Sequence, residues 1–157
     1  MSELVLRNRQ RVRRVNLRFL REISKAALTE FLHAENYELG VHLIAAPEMA
    51  RINQQFLQHS GSTDVITFDH SKPGTRNSEL GTCLHGEIFI CLDDALTQAR
   101  QFHTTWQSEI VRYLVHGLWH LVGHDDTMPA ARRKMKREEN RLLRQLAKRF
   151  AFGKLAA

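Results

Sequence analysis

Apolar residues along the chain follow two alternating periods. Residues 4–8 are long enough for one short strand. From Leu17 to Phe31, Leu20, Ile23, Ala27, Leu28 and Phe31 recur at helical spacing, with Arg14, Arg18, Arg21 and Lys25 on or near the opposite face. Tyr37, Leu39, Val41 and Leu43 then alternate with other residues, which predicts a strand over 37–45 with one face inward. Pro47 suits the first turn of a second helix, and Met49, Ile52 and Phe56 give that helix an apolar stripe. Residues 65–68 (Val, Ile, Thr, Phe) predict a third strand, and 69–85, with Pro73 and two glycines, a surface loop near a cleft. A fourth strand is expected over 86–92, followed by a helix to about Phe102 capped by Asp93 or Asp94. Thr104 or Thr105 is placed to cap a nearly continuous apolar helix carrying Trp106, Ile110, Leu114, Leu118 and Leu121. A last helix from about Ala130 buries Met135, Leu142, Leu143, Leu146 and Phe150 and leaves its arginines and lysines outside.

This order of elements predicts an α+β fold: one domain over residues 1–157, with a small mixed four-stranded sheet, about five helices, and the helix after Thr105 in the middle. At 157 residues the chain is long enough for a real core. No repeat or interdomain linker interrupts it. With no apolar run near 18 residues and no long apolar segment after Met1, no membrane span or leader is expected, and the expected location is the cytoplasm. Two cysteines, Cys83 and Cys91, make no disulfide framework, and Cys91 falls in a strand-like run as a small buried side chain.

Charge is segregated. Residues 1–30 hold eight Lys/Arg against three Glu, and residues 131–157 hold ten against two, whereas 31–130 hold five against twelve Asp/Glu. Basic ends around an acidic centre suit a phosphate-rich partner, with Arg14, Arg18, Arg21, Arg133, Lys134 and Arg137 as the expected contacts. The plainer reading is that these are solvated helix faces.

The acidic centre contains the densest chemistry: Val-His-Gly-Leu-Trp-His-Leu-Val-Gly-His-Asp-Asp, residues 115–126, holds three of the nine histidines. His116 and His120 are four apart, so on a helix they differ by about 40° around the axis and project side by side. Gly123 is suited to end that helix in a left-handed conformation, after which the chain can bring back His124, Asp125 or Asp126. Two helical histidines and a third ligand beyond a turn leave one position open, the arrangement of catalytic zinc. The alternative is a pair of ordinary half-buried helix histidines.

Three blocks resemble the YbeY family of metal-dependent endoribonucleases, which act in ribosomal RNA maturation and ribosome quality control. Asn53 through Phe56 to Thr63-Asp64-Val65-Ile66-Thr67-Phe68 is similar to the family's Asn-x-x-aromatic…Thr-Asp-Val-Leu-Ser-Phe segment. Gly86-Glu87-Ile88-Phe89-Ile90 with Gln98-Ala99 is similar to its Gly-Asp-Ile-x-Ile…Gln-Ala segment. The stretch from His116 is similar to its His-Gly-x-Leu-His-Leu-x-Gly-x-Asp-His motif. The resemblance implies cleavage of single-stranded RNA, with ribosomal RNA and the small ribosomal subunit as partners. It also implies one Zn²⁺ per chain, although two histidines and an aspartate would also accept iron, nickel or cobalt.

Carried over by position, the first two metal ligands are His116 and His120, and the third falls on Asp126, where the family has histidine. An aspartate oxygen binds zinc at about 2.0–2.2 Å. His124 is the competing third ligand and otherwise, with Asp125 and His59, a candidate proton-transfer group. Glu87 and Asp64 are further residues that could shape the site. The second departure is Leu57, which stands where the family has an arginine thought to act in cleavage; Arg51 or His59 would have to supply its charge. Two other classes compete. A metallopeptidase would need a glutamate directly after the first histidine, where this chain has Gly117. A non-catalytic ribosome- or RNA-binding assembly factor with a structural metal is the alternative that Leu57 favours.

Overall fold

The computed structural model describes residues 2–71, 77–78, 81–124 and 126–157. Strands β1 (Glu3–Asn8), β2 (Ala34–Ile44), β3 (Val65–Asp69), β4 (Asn77–Ser78) and β5 (Gly81–Cys91) make one sheet. Around it stand α1 (Leu17–Ala26), α2 (Ala46–Ile52), α3 (Leu92–Phe102), α4 (Trp106–Val122) and α5 (Pro129–Arg149). The main order is β1-β2-β5-β3. β2 runs parallel to both β1 and β5, while β3 is antiparallel to β5. The expected mixed four-stranded sheet is therefore present, with β4 as a two-residue addition against the start of β5.

Alternation along β2 and β5 sends Leu39, Val41, Leu43, Ile88 and Ile90 to one face, where they are buried with Leu20 and Ile23 of α1, Leu114 and Leu118 of α4 and Leu146 of α5. Each such side chain contributes about 1.5–3 kcal/mol by leaving water, so this face fixes how α4 and α5 lie on the sheet. On the opposite face, Met49 of α2 packs on Ile44, Ile66 and Cys91.

α4 lies directly on β5. A Cβ built at Gly117 would stand 2.7–2.9 Å from three side-chain carbons of Ile88, so only glycine permits this approach without a shift. The same contact explains the absence of a side chain immediately after His116. That side of the helix faces the sheet.

Several expected features differ. The helix over 17–31 is α1 followed by a wider π-type turn, Ala27–Phe31. α2 likewise widens into a π-type turn, Asn53–Leu57. The wider turn changes the angular phase, so Phe56 does not continue the stripe of Met49 and Ile52; it is 57% exposed and meets Phe68 edge-on. The stretch expected as a loop, 69–85, includes the start of β5, because Thr82–His85 pair with β2 back to Ala34 despite lacking an alternating pattern. Leu92 begins α3 rather than ending a strand, and neither Asp93 nor Asp94 caps that helix, whose N-cap is Cys91. Asp93 instead accepts the Ala46 N–H at the start of α2 at 2.6 Å, and Asp94 accepts the Ser62 hydroxyl at 2.9 Å.

Candidate metal centre

α4 starts and stops where its sequence directs. The Thr105 hydroxyl accepts from the Ser108 N–H while the Ser108 hydroxyl accepts from the Thr105 N–H, a reciprocal cap. At the other end Gly123 adopts φ 113°, and its N–H and that of His124 close on the carbonyls of His120 and Trp119 at 3.0 Å each. Ile110, Leu114, Leu118 and Leu121 occupy the buried face of this helix. His116 and His120 stand on the adjoining face, half-buried, with ring centroids 4.7 Å apart and planes 79° to one another.

Their Nε2 atoms are 3.2 Å apart, and an Asp126 carboxylate oxygen lies 3.7 Å from each. The three ligand atoms lie within 4.8 Å of one another, the one such group of His, Cys, Asp and Glu side chains among the described residues. Ligands about 2.0–2.1 Å from a tetrahedral ion stand about 3.3 Å from each other, so the three atoms fit a single small cation with little movement.

Glu139 of α5 sets which nitrogen of His116 faces this group. It is a buried carboxylate, and His116 Nδ1–H donates to one oxygen at 2.9 Å while Arg112 Nη1 donates to the other at 3.1 Å. Arg112 is held in turn by Asn140 at 3.1 Å. An ionised carboxylate only accepts, so the His116 proton sits on Nδ1 and the Nε2 lone pair turns toward His120 and Asp126. Burial alone would raise the pKa of Glu139, but the His116 hydrogen bond, with Lys136 and Arg112, brings it below the ordinary value. Burial would conversely lower the pKa of His116, and Glu139 and Asp126 together raise it above the ordinary value.

Two cavities meet at His116. One, about 300 Å³, is lined by Asp64, Tyr113, His116, Asp126, Arg132 and Lys136, among others. The other, about 430 Å³, is bounded by Val65, Thr67, Asp69, His116, His120, Gly123 and His124. Thus His124 shares the second cavity with both helical histidines, but it packs edge-on against the Trp119 ring at 4.9 Å and is not in the three-atom group. Asp125 lies outside the described residues. His59 and Leu57 are exposed beyond α2 and line neither cavity, and neither does Arg51.

Asp64 belongs to the site's wall, where it accepts from Gln98 at 2.9 Å and so ties the start of β3 to α3. Glu87 does not. It projects from the other face of the sheet, between His42 and His70 at 3.0 Å each. Among the expected nucleic-acid contacts, Arg14, Arg18, Arg133, Lys134 and Arg137 are exposed, and Arg21 reaches the Leu4 carbonyl at 2.7 Å, tying α1 to β1. Sequence reasoning missed Arg112, Tyr113, Arg132, Lys136 and Glu139 as neighbours of the site. A signal existed for Glu139: it occupies a place in the apolar stripe of Met135, Leu142 and Leu146, where a charge needs a buried partner.

The fold and these three side chains define a small α+β protein with a candidate single-ion centre on its central helix. Residues 6–147 match the family model described as Endoribonuclease YbeY, and the chain belongs to the YbeY family. Similar proteins named Endoribonuclease YbeY occur in Salinibacter ruber, 39% identical over 94 residues (59% of this chain, 60% of that protein), and in Bacteroides fragilis, 34% identical over 129 residues (78% of this chain, 87% of that protein). With the Parabacteroides distasonis relative, 38% identical over 96 residues, the match spans 61% of this chain and 62% of that protein. A solution structure of a Thermotoga maritima protein shares the fold, with a TM-score of 0.63 and 22% identity over 92% of this chain and 89% of that one.

Proposed function

We propose that this chain is a metal-dependent endoribonuclease that cuts single-stranded RNA in ribosomal RNA maturation and quality control, acting in the cytoplasm on the small ribosomal subunit. The observation that carries the reading is the convergence of His116, His120 and Asp126 beside cavities open to a substrate. Membership of a family described as an endoribonuclease supports the reaction class.

His116 and His120 through Nε2 and Asp126 through a carboxylate oxygen are the residues to hold one ion, and zinc suits this donor set. Such an ion supplies Lewis acidity toward a phosphate oxygen and shifts the pKa of water toward about 7. Glu139 keeps His116 in the tautomer the centre needs, and Arg112 holds Glu139 in place. His124 is the imidazole on the His116–His120 cavity placed to accept or return a proton. Gly117 disfavours a peptidase, since the position of its general base faces β5 with no room for a side chain.

The exposed Leu57 favours a second reading, an RNA-binding assembly factor whose metal is structural. One experiment separates the two. Purified protein is incubated with single-stranded RNA with and without chelator, beside His116→Ala and His120→Ala. Metal-dependent cleavage lost in both variants supports the nuclease. RNA binding without cleavage, across several metals and at high protein concentration, supports the assembly factor and rejects the nuclease.

A further inference from the structure

The cavity of about 300 Å³ on the α5 side of the centre has an unusual wall. His116 and Asp126 form one side of it, and Arg132 and Lys136 of α5, one helical turn apart, form another. Arg132 spends its Nε on the Asp126 carbonyl at 3.0 Å, and it makes no ion pair among the described residues. Lys136 lies 3.8 Å from Glu139, a carboxylate already engaged by His116 and Arg112, and the lysine side chain is 60% exposed. Two cations thus border the cavity without a dedicated anion.

Deeper in the same cavity stands Tyr113, 2% exposed, whose hydroxyl has no hydrogen-bond partner. A buried hydroxyl left unpaired costs on the order of 1–3 kcal/mol, which a polar ligand group would recover. Beside it on the wall are Asp64 and Gln98, hydrogen-bonded to one another at 2.9 Å, a carboxylate and an amide that suit hydroxyl and base-edge groups. Cationic residues lie near the mouth, and a phenol hydroxyl, an amide and a carboxylate lie within, beside a metal-ready cluster. That combination suits one ligand class, a nucleotide with its phosphodiester.

Accepting the nuclease reading above, on which this rests, we propose that this cavity is the nucleotide subsite next to the cleaved bond. Arg132 and Lys136 hold the phosphodiester, and the Tyr113 hydroxyl, with Asp64 and Gln98, receives the attached nucleoside. Arg132, Lys136 and Tyr113 are then positioning residues, and the strand enters the centre along α5.

The test is binding, so it does not depend on cleavage. A fluorescein-labelled RNA tetranucleotide is titrated by anisotropy against the chelator-treated full chain and three variants. Arg132→Gln/Lys136→Gln should weaken binding about tenfold and reduce the magnitude of the log–log salt slope by about 1.4, the value for two single-strand phosphate contacts. Arg141→Gln/Arg144→Gln removes the same charge elsewhere on α5 and should change affinity less than about twofold, because only the cavity pair is argued to touch the phosphate. Tyr113→Phe should leave the melting temperature equal or higher, since it deletes an unpaired buried hydroxyl, yet weaken the tetranucleotide about fivefold. Metal content by mass spectrometry of the metal-loaded proteins should match wild type in all three. The subsite is overturned if Arg132→Gln/Lys136→Gln binds like wild type or no worse than the charge-matched control, or if Tyr113→Phe binds like wild type. Tetranucleotide binding with this variant pattern, but no RNA cleavage by the metal-loaded wild type, would reject the nuclease and keep the subsite.

Discussion

At the residue scale, the centre depends on a side chain that is not one of the three candidate ligands. Glu139 fixes the His116 ring through Nδ1 and is itself held by Arg112. Glu139→Gln keeps the size but removes the charge that stabilises that tautomer and balances the Arg112 guanidinium. Zinc affinity, measured by competition with a chromophoric chelator, is expected to fall about 10–100-fold; unchanged affinity would show that Glu139 is only a packing residue. Glu87 makes a separate prediction. Its hydrogen bond from His70 lowers its pKa, burial opposes this, and His42 lowers it again, so its net position is below the ordinary value. A carboxylate with a depressed folded-state pKa contributes stability that is present above the unfolded value and is lost as pH falls through the folded one. Glu87→Gln should therefore lower the melting temperature at neutral pH and converge on wild type as pH falls below about 4.5, which flattens the acid limb. A parallel downward shift at every pH would rule this out.

At the element scale, α4 was the most legible part of the chain. Thr105, the apolar face through Leu121 and Gly123 each carry a local signal, and each acts in the structure as that signal says. The pair His116 and His120 was legible for the same reason, since helical spacing alone puts them side by side. What stayed hidden depends on contacts remote in sequence. The first residues of β5 are strand because β2 offers them a partner, and Asp93 turns from its own helix to the N–H of Ala46. Phe56 was misplaced because a π-type turn shifts the helical phase without a distinctive residue to announce it. Glu139 was passed over, since its place in the apolar stripe of α5 asks for a buried partner but nothing local names His116 as that partner. The seat of α4 yields a prediction too. Gly117→Ala would force Ile88 off its position and cost about 1–3 kcal/mol of unfolding free energy in denaturant titration. Adding Ile88→Val removes the methyl carbon at 2.7 Å and should recover part of that loss. If the double variant is no more stable than Gly117→Ala, the close approach is not what requires glycine.

At the scale of the whole molecule, charge and chemistry are distributed differently. The ends of the chain are basic and the middle acidic, yet α5 belongs to both. Its inner face supplies Glu139 to the centre, while Arg133, Lys134 and Arg137 are exposed to solvent. Reversing those three charges together should weaken binding to an RNA long enough to pass the cavity and lower the magnitude of the salt slope by about 2. An unchanged slope would assign that face to solvation alone.

The dependence of His116 on Glu139 also gives the centre a history. A chain made from its N-terminus presents His116, His120 and Asp126 before α5 exists. Until residue 139 has emerged and its helix has docked, the His116 ring lacks the acceptor that fixes its proton on Nδ1. A nascent chain therefore carries the three donors without the orientation of the finished site until α5 is in place.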